Sequence, residues 1–218
     1  MGGELDAIYA RRFPEDVVPK KDALWRVIGR YLQRFVPEQG RVLDLACDRG
    51  DFIRNVRAAE KWACDMRDVA ADLPADVRFV QGDGLELDGI LPNEYFDLVF
   101  MSNYLEHLPD SGAVIQQLQV AFAMLRPGGA VLVLQPNIRL LGQAYWDFID
   151  HKVAITERSL VEAAGIAGFV TERLDIHFLP YTTKGRLPQH PKLVRAYLAC
   201  PPAWRLLGKQ TLYLGRKP

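Results

Sequence analysis

The sequence has little of what marks several classes of protein. It contains only three cysteines in 218 residues, at unrelated spacings, which argues against a disulfide framework or a cysteine-held metal cluster and favours a reducing compartment. No apolar run is long enough to span a bilayer, and the first residues have no signal-peptide core. We therefore expect a cytoplasmic protein with no bound metal.

A net charge is also absent, because 27 basic residues balance 27 acidic ones. The distribution is uneven, since no acidic residue follows Asp175 and eight basic residues do. This basic, aromatic end of the chain predicts contact with anionic headgroups, lipid-linked phosphates or an acidic sugar, peripheral to a membrane. The alternative is that these bases only balance the acidic remainder of the chain. Nucleic acid is not expected, because no recognisable reading module is present.

What the sequence does contain is an alternation of apolar strand and amphipathic helix patterns. The periodicity predicts helices over 22–36, 51–60, 111–126 and 157–167, and strands over 41–47, 61–66, 76–83, 95–103, 130–136, 168–179 and 210–217. This order is typical of a single α/β domain with a mainly parallel sheet, helices on both faces and a ligand beyond the carboxyl ends of the strands. The proline-rich segment 180–208 is predicted to be either a functional lid or loosely ordered.

The most informative stretch is VLDLACDRGDF at 42–52, a strand that runs into a turn. Asp65 follows at the end of the second strand and Asp83 follows the third. Turn amides at a helix N-terminus bind anionic groups, and strand-end carboxylates accept from ribose hydroxyls. The spacing therefore predicts a nucleoside ligand.

Five segments in order, LDLACDRGDF, ACDM, FVQGDG, FDLVFMSNYLEHLPD and LRPGGAVLVLQPN, resemble the class I S-adenosylmethionine-dependent methyltransferases across residues 40–178. The resemblance implies a seven-stranded, Rossmann-like sheet with an antiparallel last strand at 209–218. It implies S-adenosylmethionine as cofactor and S-adenosylhomocysteine as product. On this reading residues 1–39 form an N-terminal helical cap, 40–178 the cofactor-binding core and 179–208 a basic insert or lid.

The resemblance also assigns roles to residues. Asp44 would orient the loop and the methionine amino group, and Gly50 would let the chain approach the cofactor. Asp65 would bind the ribose hydroxyls, Met66 would pack on the adenine, and Asp83 would accept from its exocyclic amine. The implied cofactor-binding residues are Asp44, Ala46, Asp48, Gly50, Asp65, Met66, Asp83, Gly84, Ser102 and Asn103, with Ser102 and Asn103 lining the floor near the methyl group.

The chain departs from the family where two motif glycines are replaced by Ala46 and Asp48. Alanine costs little provided its φ is negative. Aspartate at this position needs a positive φ, which residues other than glycine rarely adopt. It also brings a second anion near the methionine carboxylate. Two unit charges about 4 Å apart at an effective dielectric of about 20 repel by about 4 kcal/mol. Asp48 escapes this repulsion if it points to solvent, pairs with Arg49 or another base, or lies nearer the cationic sulfonium.

Candidate bases for a methyl acceptor follow the fourth and fifth strands. They are Tyr104, Glu106, His107, Asp147, Asp150 and His151, of which His107, Asp150 and His151 are our predicted catalytic residues. For His107 the alternative is that Glu-His-Leu only positions a helix. The Asp150-His151 pair, with Ala-Gly-Phe at 167–169, resembles methyltransferases of polysaccharide and glycolipid biosynthesis. Tyr9 and Arg12 are predicted to fold over the cofactor.

The predicted activity is methyl transfer from S-adenosylmethionine to a small-molecule acceptor or one linked to a lipid or glycan. Because Asp48 replaces a motif glycine, the alternative is a non-catalytic or weakened nucleoside-binding scaffold. A nicotinamide-dependent oxidoreductase is a third possibility, and the motifs around Asp83 and the fourth strand argue against it.

Overall fold

A computed structural model describes Arg11, residues 18–181 and residues 190–218. Its helices are α1 (Val18–Leu32), α2 (Ser111–Met124), the single turn α3 (Ile138–Leu141), α4 (Glu157–Ile166), α5 (Pro191–Leu198) and α6 (Pro201–Leu207). Its strands are β1 (Arg41–Leu45), β2 (Glu60–Asp65), β3 (Val77–Gln81), β4 (Phe96–Ser102), β5 (Leu125–Pro136), β6 (Val170–Leu179) and β7 (Gln210–Arg216).

The strands form one seven-stranded sheet in the order β3-β2-β1-β4-β5-β7-β6. Strands β1 to β5 pair in parallel, and β7 pairs antiparallel with both β5 and β6. The sheet therefore confirms the predicted α/β fold with an antiparallel last strand. The order reverses between β1 and β4, and at such a switch point the loops diverge and leave a crevice for a ligand.

Helices cover both faces of the sheet. Helices α2 and α4 bury one face around Leu118, Leu160 and Tyr213, while α1, α5 and α6 bury the other around Leu32 and Trp204. The sheet is thus covered on both sides, as the nearly unbroken apolar strand sequences predict.

The predicted helix over 51–60 is wrong, because only a 3₁₀ turn at Ile53–Asn55 forms there. The side chain of Gln33 accepts a hydrogen bond from the Arg57 amide at 2.7 Å and donates to the Arg57 carbonyl at 3.0 Å. These bonds capture the backbone groups that a continuing helix would use, and Val56 is already extended. A tertiary contact from the end of α1 has overridden the local helical pattern.

The segment 180–208 is not loosely ordered in its described part, where α5 and α6 pack on α1. The Trp204 ring lies 5.9 Å from that of Tyr31 and 5.2 Å from that of Phe178. Trp204 and Leu198, in the basic and aromatic end of the chain, are buried. No helix among the described residues is both long and apolar enough to cross a membrane.

Candidate active site

The loop after β1 adopts a left-handed backbone at alternate residues. The φ angles are 56° at Ala46, 50° at Asp48 and 71° at Gly50. Ala46 was expected to cost little if its φ were negative, but its φ is positive. The left-handed region costs a non-glycine residue about 1–2 kcal/mol. The loop keeps the backbone path of a three-glycine turn although two of its three left-handed residues carry side chains.

Asp48 does not point freely to solvent and is not paired with Arg49. Its carboxylate binds Arg67 Nη2 at 2.6 Å and Lys21 Nζ at 3.2 Å. Burial works to raise the pKa of Asp48, but Lys21 and Arg67 outweigh it and hold that pKa below its usual range. Of the three arrangements that would reduce the repulsion between Asp48 and the methionine carboxylate, the structure shows the pairing with other basic residues. Sequence reasoning missed both cations, because Lys21 lies 27 residues away and Arg67 lies 19 away.

The carboxylates of Asp44 and Asp65 are both buried and tie this loop to the sheet. Asp44 accepts from the Ile53 amide at 3.2 Å, and burial raises its pKa well above the usual value, reinforced by the nearby carboxylates. Asp65 accepts from the Asp48 amide at 2.9 Å through one oxygen and from the Arg67 amide at 2.9 Å through the other. Asp44 and Asp65 therefore lie side by side at the carboxyl edge of β1 and β2, as predicted.

Gly84 lies on the far side of a small cavity, and Asp83 directly precedes it. Asp83 begins a 3₁₀ turn, and its carboxylate accepts from the Leu85 amide at 3.0 Å. A Cβ at Gly84 would come within 2.5 Å of the Tyr104 hydroxyl, which itself hydrogen-bonds Gln117 at 2.7 Å. The cavity has a volume of about 20 Å³ and is lined by Leu45, Ala46, Cys64, Asp65, Met66, Gly82, Gly84 and Tyr104. The structure thus brings predicted cofactor residues from three strand ends around one cavity.

The remaining predicted cofactor residues, Met66, Ser102 and Asn103, follow β2 and β4. The side chain of Met66 is 42% exposed at the rim of the cavity. Asn103 has a φ of 48°, and its Nδ2 donates to Ser102 Oγ at 2.9 Å. Its Oδ1 is buried and has no hydrogen-bond partner among the described residues. This strained, unsatisfied amide is a polar group that a ligand could satisfy.

The predicted acceptor-side residues also come together, around the buried Glu106. His107 Nδ1 lies 3.0 Å from the Asp150 carbonyl oxygen and 3.3 Å from its carboxylate, and the rings of His107 and His151 are 5.0 Å apart. Glu106 Oε1 lies 3.8 Å from His107 Nε2 and 3.9 Å from His151 Nε2. We call Glu106, His107, Asp150 and His151 the acceptor-side cluster.

Two other acceptor-side candidates from the sequence, Tyr104 and Asp147, do not join this cluster. Tyr104 donates its hydroxyl to Gln117, and burial raises the pKa of Tyr104, so it is poorly placed as a base. Asp147 is exposed. The expectation that Tyr9 and Arg12 cover the cofactor concerns residues outside the described part of the chain.

The sheet order, the left-handed loop and the strand-end carboxylates define the class of Rossmann-like methyltransferases, whose methyl donor is S-adenosylmethionine. The sequence model of the methyltransferase domain family matches residues 20–174. The chain therefore belongs to the methyltransferase domain family. This finding confirms the enzyme class and the cofactor expected from the resemblance.

Known proteins agree with this assignment. The Bacillus subtilis (strain 168) protein named "Putative methyltransferase YqeM" is 28% identical over 116 residues, and the match spans 47% of this chain and 45% of that relative. A chain of the "Complex between the Haloferax volcanii Trm112 methyltransferase activator and the putative methyltransferase" has a TM-score of 0.69 at 17% identity and 97% coverage of both chains. An Archaeoglobus fulgidus SAM-dependent methyltransferase has a TM-score of 0.62 at 20% identity, covering 88% of this chain and 94% of the other. At these identities the structural neighbours show the fold alone.

Proposed function

We propose that this protein transfers a methyl group from S-adenosylmethionine to a small-molecule acceptor or to one linked to a lipid or glycan. The observation that carries the proposal is the meeting of Asp44, Asp65 and Asp83 with the left-handed loop at one edge of the sheet. Successive parallel strands deliver these carboxylates to the switch point, where a nucleoside binds in this kind of sheet.

The donor set fits the cofactor. Asp65 offers its carboxylate oxygens to the ribose hydroxyls, and Asp83 accepts from the adenine amine. Asp44 serves the amino group of the methionine part of the cofactor. When bound, S-adenosylmethionine supplies a methyl group activated by a positively charged sulfur. The buried walls of Leu45 and Cys64 exclude water from this side of the site.

Charge supports the same assignment. Four carboxylates, those of Asp44, Asp48, Asp51 and Asp65, lie within one network with two cations, Lys21 and Arg67. Among the described residues the carboxyl groups of this network outnumber its cations, which favours a ligand with an ammonium group and a sulfonium. Since Asp48 is already paired with both cations, it does not bring an isolated anion to the methionine carboxylate. These contacts argue against the scaffold alternative.

Cofactor binding requires the cavity to widen. Its volume of about 20 Å³ is room for about one water molecule. Two side chains can make this room: Met66, which is 42% exposed, and Leu73, whose Cδ2 lies 2.4 Å from where a Cβ on Gly50 would stand. Both are flexible apolar side chains on loops, so their displacement costs little packing. Induced widening at these two residues is part of the proposal.

We place the methyl acceptor beside the acceptor-side cluster, with His107, Asp150 and His151 serving it. Phe148 stacks on His151 at 5.1 Å, and Tyr181 meets Phe148 edge-on at 5.7 Å. These two rings give the acceptor-side cluster an aromatic wall.

The basic end also supports peripheral contact with anionic lipid at a cytoplasmic membrane surface. Helices α5 and α6 expose Leu193, Leu206 and Leu207 at 52%, 80% and 40%, next to the exposed cations Lys192, Arg195 and Arg205. Apolar side chains beside cations suit an interface rich in anionic headgroups. One face of these helices, with Leu198 and Trp204, packs on α1. The exposed leucines and the cations lie on the other face.

Calorimetry with S-adenosylmethionine and S-adenosylhomocysteine tests the cofactor site. We expect saturable binding that falls at least tenfold in Asp65→Asn and in Asp83→Asn, because each loses an anionic acceptor. Asp88→Asn, an exposed acid on the neighbouring turn, is the matched control and should bind normally. No binding of either compound, unrestored by Asp48→Gly, would favour the scaffold instead. Saturable binding of a nicotinamide dinucleotide alone would favour an oxidoreductase.

The acceptor and the lipid contact need separate experiments. A metabolite extract incubated with the protein and a methyl-labelled donor should yield a labelled product, and its absence in Asp65→Asn shows that the label depends on this site. Sedimentation with phosphatidylglycerol vesicles should weaken with salt and on replacing Lys192, Arg195 and Arg205 by glutamine. The same replacement at Arg57, Arg78 and Arg158, on other exposed positions, is the control. Binding that ignores salt and both triple variants would end the lipid proposal.

A further inference from the structure

The acceptor-side cluster brings two imidazoles and two carboxylates from two distant segments together. Glu106 and His107 follow β4, and His151 lies between α3 and α4. The Glu106 carbonyl accepts from the amides of Lys152 at 2.8 Å and Val153 at 3.1 Å. These two backbone bonds hold the segments together, so the cluster belongs to the folded frame and does not depend on side-chain rotamers alone.

The centre of the cluster is a buried carboxylate oxygen. Glu106 is 0% exposed, and its Oε2 accepts from Gln135 Nε2 at 2.8 Å. Its Oε1 has no hydrogen-bond partner among the described residues. The gaps from Oε1 to His107 Nε2 and His151 Nε2, 3.8 and 3.9 Å, are too long for hydrogen bonds. A buried acceptor in this position calls for a cationic or donating group between the three side chains.

The spacing suits a metal ion. One atom each from Glu106, His107 and His151 lies within 4.8 Å of the other two. In a tetrahedral site with metal–ligand bonds of about 2.1 Å, two ligand atoms lie about 3.4 Å apart. The two spacings to Glu106 exceed this distance by about half an ångström, and a spacing at the 4.8 Å limit would have to close by about 1.4 Å, so metal binding requires small movements of the ligands. Rotation of the half-exposed loop carrying Phe148 and Asp150 can supply them.

The surroundings have the contacts that orient metal ligands. His107 turns Nδ1 to the carbonyl and carboxylate of Asp150, which leaves Nε2 facing Glu106. Gln135 fixes the second oxygen of Glu106. Metal-binding histidines ordinarily direct their other ring nitrogen to a carboxylate or a carbonyl, and ligating carboxylates are themselves hydrogen-bonded. Two histidines and one glutamate are a ligand set of catalytic zinc sites, which keep a fourth position open.

We propose that Glu106 Oε1, His107 Nε2 and His151 Nε2 bind one divalent transition-metal ion of the zinc class. The ion occupies a site distinct from the cofactor carboxylates and leaves a coordination position for an oxygen of the methyl acceptor, a role that rests on the proposed function. Imidazole with a carboxylate selects zinc or a similar ion over magnesium or calcium, which prefer oxygen ligands alone. This proposal replaces the expectation that the protein holds no metal.

Metal binding is measured without any methyl transfer. The protein is stripped with a chelator and titrated with Zn²⁺ alone by calorimetry and with Co²⁺ alone by visible absorption. We expect one ion per chain and the intense bands of low-coordinate cobalt. His107→Gln and His151→Gln should weaken binding at least a hundredfold, and Asp150→Asn about 10–100-fold, because Asp150 only orients a ligand. His177→Gln, a histidine on β6 that contacts the Gly208 carbonyl, is the matched control and should bind as the wild type does.

Three results would overturn the proposal: no stoichiometric uptake of Zn²⁺, uptake unchanged in His107→Gln and His151→Gln, or equal loss in His177→Gln. Circular dichroism verifies that each variant is folded. If His151→Gln does not fold, Glu106→Gln takes its place in the test and should likewise lose Zn²⁺ binding. This substitution keeps the size of the side chain and removes only the anionic ligand. Calorimetry with S-adenosylhomocysteine on the same samples separates the two proposals. If the protein binds S-adenosylhomocysteine but takes up no Zn²⁺, only the metal site is overturned. If it takes up Zn²⁺ but does not bind S-adenosylhomocysteine, only the proposed function is overturned.

Discussion

Lys21 offers the sharpest test of how α1 is coupled to the loop after β1. Its Nζ lies 2.7 Å from Asp51 Oδ2 and 3.2 Å from Asp48 Oδ2, and the side chains are 23%, 9% and 18% exposed in that order. Burial alone would lower the pKa of Lys21, but Asp51 and Asp48 outweigh it and raise that pKa. The ammonium group is therefore held in its charged form.

Lys21→Met keeps most of the apolar stem and removes the charge. At an effective dielectric of about 20, unit charges 2.7 Å apart attract by about 6 kcal/mol, most of which offsets the cost of desolvation. Removing one member of a buried pair costs about 3–5 kcal/mol because the other charge is left uncompensated. Lys21 keeps some exposure and Asp48 keeps Arg67, so we expect the free energy of unfolding to fall by about 2–3 kcal/mol.

Urea unfolding at pH 7 measures this loss, and a double-mutant cycle with Asp51→Asn isolates its cause. The double variant should lose less than about 1 kcal/mol relative to the wild type, because no uncompensated carboxylate remains at residue 51. Lys61→Met is the matched control: Lys61 Nζ lies 2.8 Å from Asp76 Oδ2, but that carboxylate is 62% exposed, so the loss should stay below about 1 kcal/mol.

The dependence on pH gives a second measurement of the same effect. Burial raises the pKa of Asp51 in spite of Lys21, and Lys21→Met removes the opposing cation. Because the pKa of Asp51 is higher in the folded than in the unfolded protein, the contribution of Asp51 to stability is greatest below its unfolded pKa of about 3.9. That contribution is lost as the pH rises through the folded pKa. The deficit of Lys21→Met should therefore narrow on acidification. A loss below 0.5 kcal/mol at pH 7, or a double variant as unstable as the sum of the single ones, would refute the reasoning.

Three further outcomes follow from the site. Ala46→Gly should raise the free energy of unfolding by about 0.5–1 kcal/mol in urea, because glycine adopts the φ of 56° without the left-handed penalty; a loss of stability would contradict the assigned backbone. Gly84→Ala should weaken S-adenosylhomocysteine binding at least tenfold in calorimetry, because the new methyl group would lie 2.5 Å from the Tyr104 hydroxyl, and unchanged binding would remove this cavity from the cofactor site. Asp48→Asn should destabilise the protein at pH 7, and the difference from the wild type should vanish on acidification: Lys21 and Arg67 lower the pKa of Asp48, so its stabilisation is present above the unfolded value of about 3.9 and is lost as the pH falls through the folded value.

The sequence predicted the sheet and the strand-end carboxylates well because both depend on local patterns. A nearly unbroken apolar run such as VLDLAC is typical of a strand covered on both faces, and a polar residue near the end of such a run lies at the carboxyl edge of the sheet. Asp44, Asp65 and Asp83 were therefore placed correctly relative to their own strands. Their position at one edge of the sheet then follows from parallel pairing in register.

Residues whose positions depend on distant parts of the chain were missed or misassigned. Nothing near Asp48 in the sequence marks Lys21 as its partner, and nothing near Arg57 shows that Gln33 will end a helical pattern. Trp204 lies in the basic and aromatic end of the chain, and only the structure shows that it packs between Tyr31 and Phe178. In each case a contact between segments many residues apart outweighed the local preference.

The amino-acid sequence by itself determined the α/β class, the family and the cofactor, because repeated strand and helix periods and ordered motifs are local properties of the chain. Only the tertiary structure decided that Asp48 is neutralised by two cations and that Glu106, His107 and His151 converge on one point. Such convergence depends on which loops the sheet order brings to the same edge. The distance between two side chains in space is set by that order and by packing, which no spacing along the chain reports.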